Sequence, residues 1–419
     1  MIKLLLISVT RPHHLTNGNY LRTYNVSMRF MDKGYKVFFI HFGNQREQEI
    51  SDDSEIKTIA EEIFPLNFPD FYHKINGKLY QIFLSICQYP RIPFKPRSIS
   101  TLQANLKNII GTYDIDVIHL RDPITGLFLI DFHEIPKILD LTDSASLALK
   151  REMREEKCFV KKIRDYFLYC WSKGIEKTLL KDSDIVTVVS PKDKEMLNFL
   201  YKKARVEVIP NGVDTNYFSP KAGEKEDFPS ILYHGTMRFP PNVRAIEYIW
   251  DDILPIIRSK IPETKFWIVG SNPVDQIEKL GSRKGVIVTG HVNDIREYIS
   301  KASVVLVPMK SGSGIKNKIL EAMAMEKPVV TNPMGAEALS EEAKSCLLIG
   351  KTAEEIANHV IDLLQDREKR VELGKKGRTM VMRDYTWDRA AESFQQLYID
   401  LLKKQRDKNP QERNFEHRN

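Results

Sequence analysis

The sequence has little of what marks several large classes of protein. Its 419 residues include only four cysteines, whose positions show neither metal-site nor C-x-x-C spacing: Cys87, Cys158, Cys170 and Cys346. This usage is typical of a reduced, cytoplasmic protein rather than a disulfide-bonded secreted one. No apolar run reaches transmembrane length, and the first one, Met1–Val9, is too short for a signal peptide. Zinc-finger, RNP and P-loop patterns are missing, so nucleic acid is not an expected partner.

What is present is the composition of an ordinary globular protein with a positive charge. Hydrophobic residues make up 42% and charged residues 28% of the chain, which is typical of folded domains. A chain of 419 residues is longer than one hydrophobic core usually spans, so two domains are expected. The formal net charge of +7 favours an acidic partner, such as a nucleotide diphosphate or an anionic lipid.

One stretch, Val304–Ala336, carries most of the functional information. The apolar run Ala302–Val307 predicts a buried parallel strand, and Ile315–Met325 has the apolar spacing of a helix. A glycine-rich loop between a strand and a helix can bind an anion, because the helix start offers unpaired N–H groups. Cations at that end oppose the helix dipole unless an anion is bound there. The residues expected to surround that anion are Ser313, Gly314, Ile315, Lys316 and Lys318.

Two segments resemble a known enzyme family. The segment GSGIKNKILEAMAMEKPVV at 312–330 resembles the donor site of retaining glycosyltransferases of family 4, and IPNGVDTNYF at 209–218 resembles their interdomain junction. The family usually has two glutamates in the donor segment, whereas this chain has Ser313 and Glu321 at those positions, a form that resembles the polysaccharide-assembly subgroup. The resemblance implies the GT-B fold, an α/β architecture of two Rossmann-like domains facing a central cleft.

The resemblance also implies a division of the chain. Residues 1–210 would form an acceptor-binding domain, joined by a C-terminal helix at 388–403 that crosses back to it. Residues 211–387 would form the domain that binds the nucleotide-sugar donor. The polar segment 404–419 is predicted to be disordered.

Donor contacts are implied for several residues of the second domain. By resemblance, Glu321 accepts hydrogen bonds from the ribose, and Lys318 stabilises the diphosphate. The alternative for this pair is a surface ion pair at i, i+3, which would contribute only roughly 0.2–0.5 kcal/mol. Arg238 would replace the family's usual basic pair, or it is an ordinary exposed arginine. Gly290, His291 and Val292 resemble the turn that binds the nucleobase, where backbone groups rather than the histidine side chain would act.

In the first domain, candidate residues lie at the ends of predicted strands. His119 ends the strand Asp116–Leu120, and Asp143 follows the strand Ile138–Leu141, at the edge where open α/β sheets bind ligands. Both are expected to contact the transferred sugar or the acceptor. For Asp143, the alternative is capping of the helix that begins at Ala145. Gly18 lies in the loop after the first strand, which in the resembled family approaches the donor phosphates.

The predicted function is transfer of a sugar from a nucleotide diphosphate to a glycan or lipid-linked hydroxyl in cell-surface polysaccharide assembly. The resemblance implies retention of anomeric configuration, and neither a metal ion nor another cofactor is expected. Two alternatives stay open: a non-catalytic scaffold that binds sugar nucleotides, and a sugar-nucleotide epimerase of the same fold.

The segment 64–98 is rich in aromatic residues interleaved with lysine and arginine. Such a segment is suited to the headgroup region of an anionic membrane. This reading predicts a cytoplasmic enzyme that is peripheral on the inner face of the plasma membrane, near a lipid-linked acceptor. The alternative is that the aromatic side chains complete the core of the first domain.

Overall fold

The computed structural model describes residues 2–8, 18–42, 58–66, 97–221, 223 and 225–408, with the backbone alone for 18–20, 97–100 and 408. The chain divides into two compact units, which are described separately. Unit 1 comprises Met1–Ile209 and Trp387–Asn419, and unit 2 comprises Pro210–Thr386.

Unit 1 is built on a parallel sheet. Its strands are β1 (Lys3–Ser8), β2 (Lys36–Phe42), β3 (Glu62–Leu66), β4 (Val117–Leu120), β5 (Lys137–Thr142), β6 (Ile185–Val188) and β7 (Val206–Val208). They pair in the order β3-β2-β1-β4-β5-β6-β7. The central strands are apolar almost throughout because both of their faces are buried. The strand order reverses between β1 and β4, so their carboxyl ends border the crevice in which such sheets bind ligands.

The helices of unit 1 differ from the sequence prediction at two points. They are α1 (Gly18–Asp32), α2 (Arg97–Tyr113), α3 (Pro123–Phe128), α4 (Ala145–Glu155), α5 (Phe159–Asp182) and α6 (Pro191–Leu200). Gly18 is the first residue of α1 rather than part of the preceding loop. The helix predicted to begin at Ala145 is followed at once by a second helix, because the chain is extended at Glu156, whose carboxylate accepts from the N–H of Cys158 at 2.8 Å.

Unit 2 is built on a second parallel sheet. Its strands are β8 (Ser230–His234), β9 (Lys265–Val269), β10 (Val286–Val288), β11 (Val304–Val307), β12 (Val329–Thr331) and β13 (Leu348–Ile349). They pair in the order β10-β9-β8-β11-β12-β13. The predicted strand at Ala302–Val307 is therefore β11, and the order reverses between β8 and β11. The loops after these two strands carry the candidate donor residues.

Helices flank this sheet and bury a continuous core. They are α7 (Pro240–Tyr248), a π-helical turn (Ile249–Ile253), α8 (Leu254–Lys260), α9 (Asp275–Glu278), a 3₁₀ turn (Lys279–Ser282), α10 (Arg296–Lys301), α11 (Asn317–Ala324), α12 (Pro333–Ala336), α13 (Glu341–Lys344), α14 (Ala353–Gln365) and α15 (Arg367–Asp384). Helix α11 begins two residues later than predicted, because Lys316 has extended backbone angles (φ −94°, ψ 93°).

The last helix, α16 (Trp387–Lys408), belongs to unit 1. It packs against α1, and Trp387, Phe394 and Tyr398 join the core on that side of the sheet. The implied return of the C-terminal helix to the first domain is confirmed. The helix continues to Lys408 instead of ending at 403, so 404–408 are helical rather than disordered, and 409–419 lie outside the described residues. Within the described part of the chain, no helix is long and apolar enough to cross a membrane.

Candidate active site

The loop between β11 and α11 is held in shape by its own lysine. Gly312 and Gly314 have left-handed backbone angles, with φ of 95° and 68°, which glycine adopts without a steric penalty. Lys316 is 8% exposed, and its Nζ donates to the carbonyl oxygens of Ser313 and, at 3.1 Å, Gly314. Lys316 therefore fastens the loop. As the residue before the helix it gives no side-chain cap to α11. Its carbonyl accepts from the N–H of Ile319 at 2.8 Å, which leaves the first two N–H groups of that helix for an anion.

Lys318 is held at the second position of α11 by two residues of neighbouring elements. Its Nζ donates to the hydroxyl of Tyr233 on β8 at 2.8 Å and to Oδ1 of Asn242 on α7 at 2.7 Å. Tyr233 also donates to Asn242 at 2.7 Å, and the Lys318 ammonium lies 4.1 Å from the centroid of its ring. Burial lowers the pKa of Lys318 to about 7. Neutral partners fix the position of this cation without neutralising its charge.

Glu321 lies one turn further along the same helix and faces a histidine rather than Lys318. The distance from its Oε2 to Nδ1 of His234, the last residue of β8, is 3.6 Å. Burial raises the pKa of Glu321 to about 7, while burial and the Lys318 charge lower the pKa of His234 to about 3. The ring of His234 is therefore neutral. Among the described ion pairs none joins Lys318 to Glu321, so the surface ion pair that was the alternative for these two residues is not formed.

Glycines keep side chains away from these groups. Gly235 follows β8 with φ of 144°, and a Cβ at this position would lie 3.2 Å from the Nζ of Lys318. Gly270 follows β9, and a Cβ there would lie only 1.8 Å from the carbonyl oxygen of Gly235. The loops after β8, β9 and β11 thus meet at the carboxyl edge of the sheet with the backbone of one loop touching the next. Such an edge is where this type of sheet binds ligands.

The other candidates of unit 2 are Arg238, in the loop after β8, and Gly290–Val292, in the loop after β10. Arg238 is exposed, and the described contacts include no hydrogen bond or ion pair for it. His291 is exposed, Val292 is half-buried, and the carbonyl of Gly290 accepts from the N–H of Gly270 at 3.2 Å. Arg244 was not a candidate from the sequence. Its guanidinium lies 3.4 Å from the hydroxyl of Ser311, in the loop between β11 and α11.

The IPNGVD segment has a structural role within unit 2. The side-chain amide of Asn211 donates to Oδ1 of Asn317, the first residue of α11, at 3.1 Å. The N–H of Val213 donates to the carbonyl of Tyr385 at 2.8 Å. The segment therefore ties the start of the unit to its end and to the helix that carries Lys318 and Glu321.

In unit 1, the two predicted residues have different surroundings. Asp143 is exposed, and the side chain that caps α4 is that of Ser144, which accepts from the N–H of Leu147. His119 is 1% exposed, and a 2.6 Å hydrogen bond joins its Nδ1 to the Tyr398 hydroxyl of α16. Contact with a substrate would require this ring to leave the core. A direct role for His119 therefore stays a prediction without support from its position.

Asp140 is the buried charge at this edge of unit 1. It is fully buried, accepts from Nε of Arg22 at 2.8 Å and is also paired with Arg121. The Nε2 of His119 lies 3.9 Å from it. Burial and the two arginine charges hold the pKa of His119 well below its usual value, so the ring is neutral. Arg22 is 118 residues away from Asp140 in the chain, so no local pattern predicts the pair.

One group of side chains in unit 1 has the spacing of metal ligands. Among the described residues, Asp131, His133 and Asp182 bring three ligand atoms within 4.8 Å of one another. Asp182 is already paired at 2.6 Å with Lys137, the first residue of β5. This group therefore lies at the amino edge of the unit 1 sheet, away from the candidate residues at its carboxyl edge.

Solved structures with the same fold are glycosyltransferases and related sugar enzymes. Sucrose-phosphate synthase of Thermosynechococcus elongatus superposes with a TM-score of 0.68, at 20% identity over 96% of this chain and 99% of that one. HepE of Anabaena in complex with UDP-glucose gives 0.63, at 14% identity over 96% and 100%. The two parallel-sheet units therefore have the GT-B fold.

The sequence comparisons identify the family. Residues 21–217 match the family model described as Glycosyltransferase Family 4, and residues 228–366 match that of glycosyl transferases group 1. The chain belongs to glycosyltransferase family 4 and is a sugar transferase of glycan synthesis. This finding does not favour the scaffold or epimerase alternatives.

Two relatives show how similar this chain is to known members of the family. A putative glycosyltransferase, EpsD of Bacillus subtilis, is 24% identical over 74% of this chain and 82% of its own length. A GDP-mannose-dependent phosphatidylinositol monomannoside mannosyltransferase of Mycobacterium tuberculosis is 28% identical over 52% of this chain and 63% of its own length.

Proposed function

We propose that the chain transfers a sugar from a nucleotide diphosphate bound in unit 2 to a hydroxyl of a glycan or lipid-linked acceptor, with retention and without a metal ion. The observation that carries the proposal is the Lys318 ammonium beside the uncapped start of α11, among loops that glycines keep open. A diphosphate needs a cation, free N–H groups and close backbone approach at one place. The donor site, as the name is used below, comprises Gly312–Gly314, Lys318, Glu321 and Asn242.

The donor site supplies what departure of a diphosphate requires. As the bond between the anomeric carbon and the diphosphate oxygen breaks, negative charge grows on the diphosphate. Lys318 and the N–H groups of α11 are already oriented toward an anion, so they stabilise that charge without rearranging. The acceptor oxygen then bonds to the anomeric carbon, and its proton passes to the departing phosphate, as the family resemblance implies. Arg238, at the surface of the adjacent loop, would contact the same phosphates.

Glu321 is proposed to accept hydrogen bonds from the donor's ribose hydroxyls. Its carboxylate is 18% exposed and has no cation as a direct partner among the described contacts. A hydroxyl donor would satisfy it and favour its charged form. The base would then rest against Gly290–Val292, where backbone groups are at hand.

Binding measurements test the donor site. Titration calorimetry with UDP-sugars and with GDP-mannose would give the affinity of wild type and of Glu321→Ala. Charged hydrogen bonds contribute roughly 1.5–3 kcal/mol, so the variant should lose roughly 10–100-fold in affinity. Glu341→Ala, whose side chain is 91% exposed, is the matched control. An affinity within about threefold of wild type (under 1 kcal/mol) would contradict the assignment of Glu321.

Measurements of turnover distinguish a role of Lys318 in the transfer step from a role in donor binding alone. Lys318→Met should reduce transfer or slow donor hydrolysis by about 10²–10³ while changing donor affinity less, because the charge it stabilises develops as the bond breaks. Unchanged turnover would assign the role to Arg238 or Arg244. Binding of nucleotide sugars with no turnover of any panel member would support the scaffold instead.

Retention and metal independence have their own tests. Proton NMR of the product formed from an α-linked donor should show an α-linked glycoside, and a β-linked product would contradict retention. Activity should persist in excess EDTA, whereas activity that EDTA abolishes and Mg²⁺ restores would contradict metal independence.

The acceptor is proposed to be lipid-linked. The Mycobacterium tuberculosis relative is named for a phosphatidylinositol mannoside, and an Escherichia coli relative, 25% identical over 47% of this chain and 55% of its own length, for a diphosphoundecaprenol acceptor. The segment 64–98, predicted to meet the membrane, lies almost entirely outside the described residues. Phe64 is described, and its ring packs on Tyr113 at 5.5 Å, where it completes the unit 1 core.

A further inference from the structure

The first half of α5 has its apolar residues on the outside. Phe159 and Val160 are 74% and 73% exposed, Tyr166 is 54% exposed, and Ile163 and Phe167 are 43% and 45% exposed. These five residues, called the α5 stripe below, have the i, i+1, i+4, i+7, i+8 spacing that puts them on one face of a helix. They form a continuous exposed apolar face.

The opposite face of α5, which packs on α4, is polar. Asp165, Ser172 and Glu176 are 2%, 8% and 3% exposed. Glu176 accepts from the Ser144 hydroxyl at 3.0 Å and from the N–H of Ser146, so this carboxylate would lose both hydrogen bonds if the helix turned this face outward. The exposure of the α5 stripe is therefore fixed by hydrogen bonds on the other side of the helix. A contiguous exposed apolar face of this kind marks a site of interaction.

The α5 stripe lies beyond the carboxyl edge of the unit 1 sheet. Asp182, the last residue of α5, is paired with Lys137 at the amino end of β5, whereas Glu176 is bonded to Ser144, which follows the carboxyl end of β5. Between Glu176 and Phe159 the helix continues for about 25 Å at 1.5 Å per residue. Helices α4 and α5 therefore form a hairpin that projects from the edge at which Asp143 lies.

Basic residues flank the α5 stripe. From 157 to 173 the chain has Lys157, Lys161, Lys162, Arg164 and Lys173 against Asp165, which is buried and paired with Arg164, while Glu155 and Glu156 lie just before this stretch. No acidic residue lies in the first turn of α5, where the helix dipole would favour one. Positive charge beside exposed apolar side chains is the combination that binds an anionic lipid surface.

We infer that the α5 stripe docks unit 1 on an anionic membrane, with its aromatic side chains at the level of the lipid headgroups. Charge favours this occupant over two others. A second copy of this chain would bring two basic surfaces together. The chain's own segment 67–96 has Lys74, Lys78, Arg91 and Lys95 against Asp70 alone, so it too would meet the stripe with like charge. The inference rests on the proposed function only in that a lipid-linked acceptor gives the docking a use.

Vesicle sedimentation with the full chain tests the inference. Wild type should sediment with phosphatidylcholine vesicles that contain phosphatidylglycerol, less at high salt, and little with phosphatidylcholine alone. Lys161→Gln with Lys162→Gln should weaken binding about 30-fold, since each basic residue near the surface contributes a factor of about 5 in affinity and the two factors multiply. Lys202→Gln with Lys203→Gln, an adjacent exposed pair of the same unit, is the matched control.

Variants that replace apolar residues of the α5 stripe test whether the stripe itself contacts the membrane. Phe159→Ser with Phe167→Ser should abolish sedimentation, and Phe199→Ser on α6, where the side chain is 75% exposed, should not. Phe159→Ser alone serves if the double variant fails to fold. Donor affinity, measured in parallel, should be unchanged, so failure of the docking and failure of the donor site give different results.

Three results would overturn the inference. Wild type that does not bind anionic vesicles at low salt excludes the membrane as the occupant. Binding that survives the stripe variants places the contact elsewhere, for example in 67–96. A dimer in analytical ultracentrifugation that the stripe variants dissociate would identify a second copy of the chain as the occupant.

Discussion

Lys318 and Glu321 lie three residues apart on one helix, and burial moves both toward their neutral forms. Neither is the other's direct partner: Lys318 is held by Tyr233 and Asn242, and Glu321 faces the neutral ring of His234. In the proposed complex, a nucleotide sugar would supply what each lacks, an anion for the lysine and hydroxyl donors for the carboxylate. The affinity for the donor should therefore depend on both pKa values.

Donor affinity is expected to be greatest near pH 7. The pKa of Lys318 is lowered to about 7, so above pH 7 the lysine must gain a proton to bind the diphosphate, and affinity falls as pH rises. The pKa of Glu321 is raised to about 7, so below pH 7 the carboxyl must lose a proton to accept from the ribose, and affinity falls as pH falls. Calorimetry with a nucleotide sugar across pH measures both limbs.

Single variants separate the two limbs. Lys318→Met should remove the alkaline fall and Glu321→Gln the acidic one. Calorimetry in two buffers of different ionisation enthalpy should also show proton uptake by wild type above pH 7. A pH profile that neither variant alters would contradict the roles of both residues.

Asn242 keeps Lys318 in place without giving it a counter-charge. Asn242→Asp should preserve the hydrogen bond but place a carboxylate at the 2.7 Å position of Oδ1. An opposite charge this close raises a lysine pKa by roughly 1–3 units, so the alkaline limb should move up by a similar amount. The same carboxylate would compete with the diphosphate, so affinity at pH 7 should fall. If the fall in donor affinity above pH 7 stays at the same pH, Lys318 does not determine that fall.

At the scale of elements, the sequence predicts the strands and helices better than the contacts between them. The order of strand, glycine loop and helix from β11 to α11 follows from local apolar spacing and glycine. The start of α11 was predicted at Ile315 because the apolar pattern begins there, but the side chain of Lys316 holds the chain extended for two more residues. The partners of Lys318 are 76 and 85 residues away in the chain, so no local pattern reveals them.

In the turn between β5 and α4, one residue caps the helix and its neighbour is proposed to contact the substrate. Ser144→Ala removes the cap of α4, which costs about 1 kcal/mol, and a hydrogen bond to the buried Glu176, which costs roughly 1.5–3 kcal/mol. Chemical denaturation should therefore show a loss of roughly 2–4 kcal/mol in the free energy of unfolding. Asp143 is exposed, although its charge raises the pKa of Arg22 against the larger lowering by burial, so Asp143→Asn should cost less stability than Ser144→Ala.

The activity of Asp143→Asn then decides its role. A reduced rate of transfer at unchanged stability would support a contact between this carboxylate and the sugar or acceptor. Normal transfer would leave Asp143 as a surface residue beside the cap.

At the scale of the molecule, α16 is last in the chain but belongs to unit 1. Its apolar spacing is visible in the sequence, and Trp387, Phe394 and Tyr398 were open to prediction as a buried face. The surface against which these side chains pack cannot be predicted in the same way, because it belongs to α1, which is more than 350 residues away in the chain. Only the family resemblance indicated a return to the first domain. Likewise, the buried His119 owes its surroundings to Tyr398, 279 residues later.

Removal of 387–419 should therefore unfold unit 1 and spare unit 2. The deletion takes away Trp387, Phe394 and Tyr398, which are 3%, 0% and 0% exposed. Each large buried aromatic contributes roughly 3–5 kcal/mol, so their sum is comparable with the whole stability of a domain, about 5–15 kcal/mol.

Unit 2 contains no part of α16, and its donor affinity should persist. Limited proteolysis with mass spectrometry should show cleavage throughout 1–209 and protection of 210–386. Tyr398→Phe gives a graded version, since it leaves Nδ1 of the buried His119 without its partner and should cost roughly 1–3 kcal/mol. A truncated protein that retains two calorimetric transitions, with 1–209 protected, would show that unit 1 does not depend on its last helix.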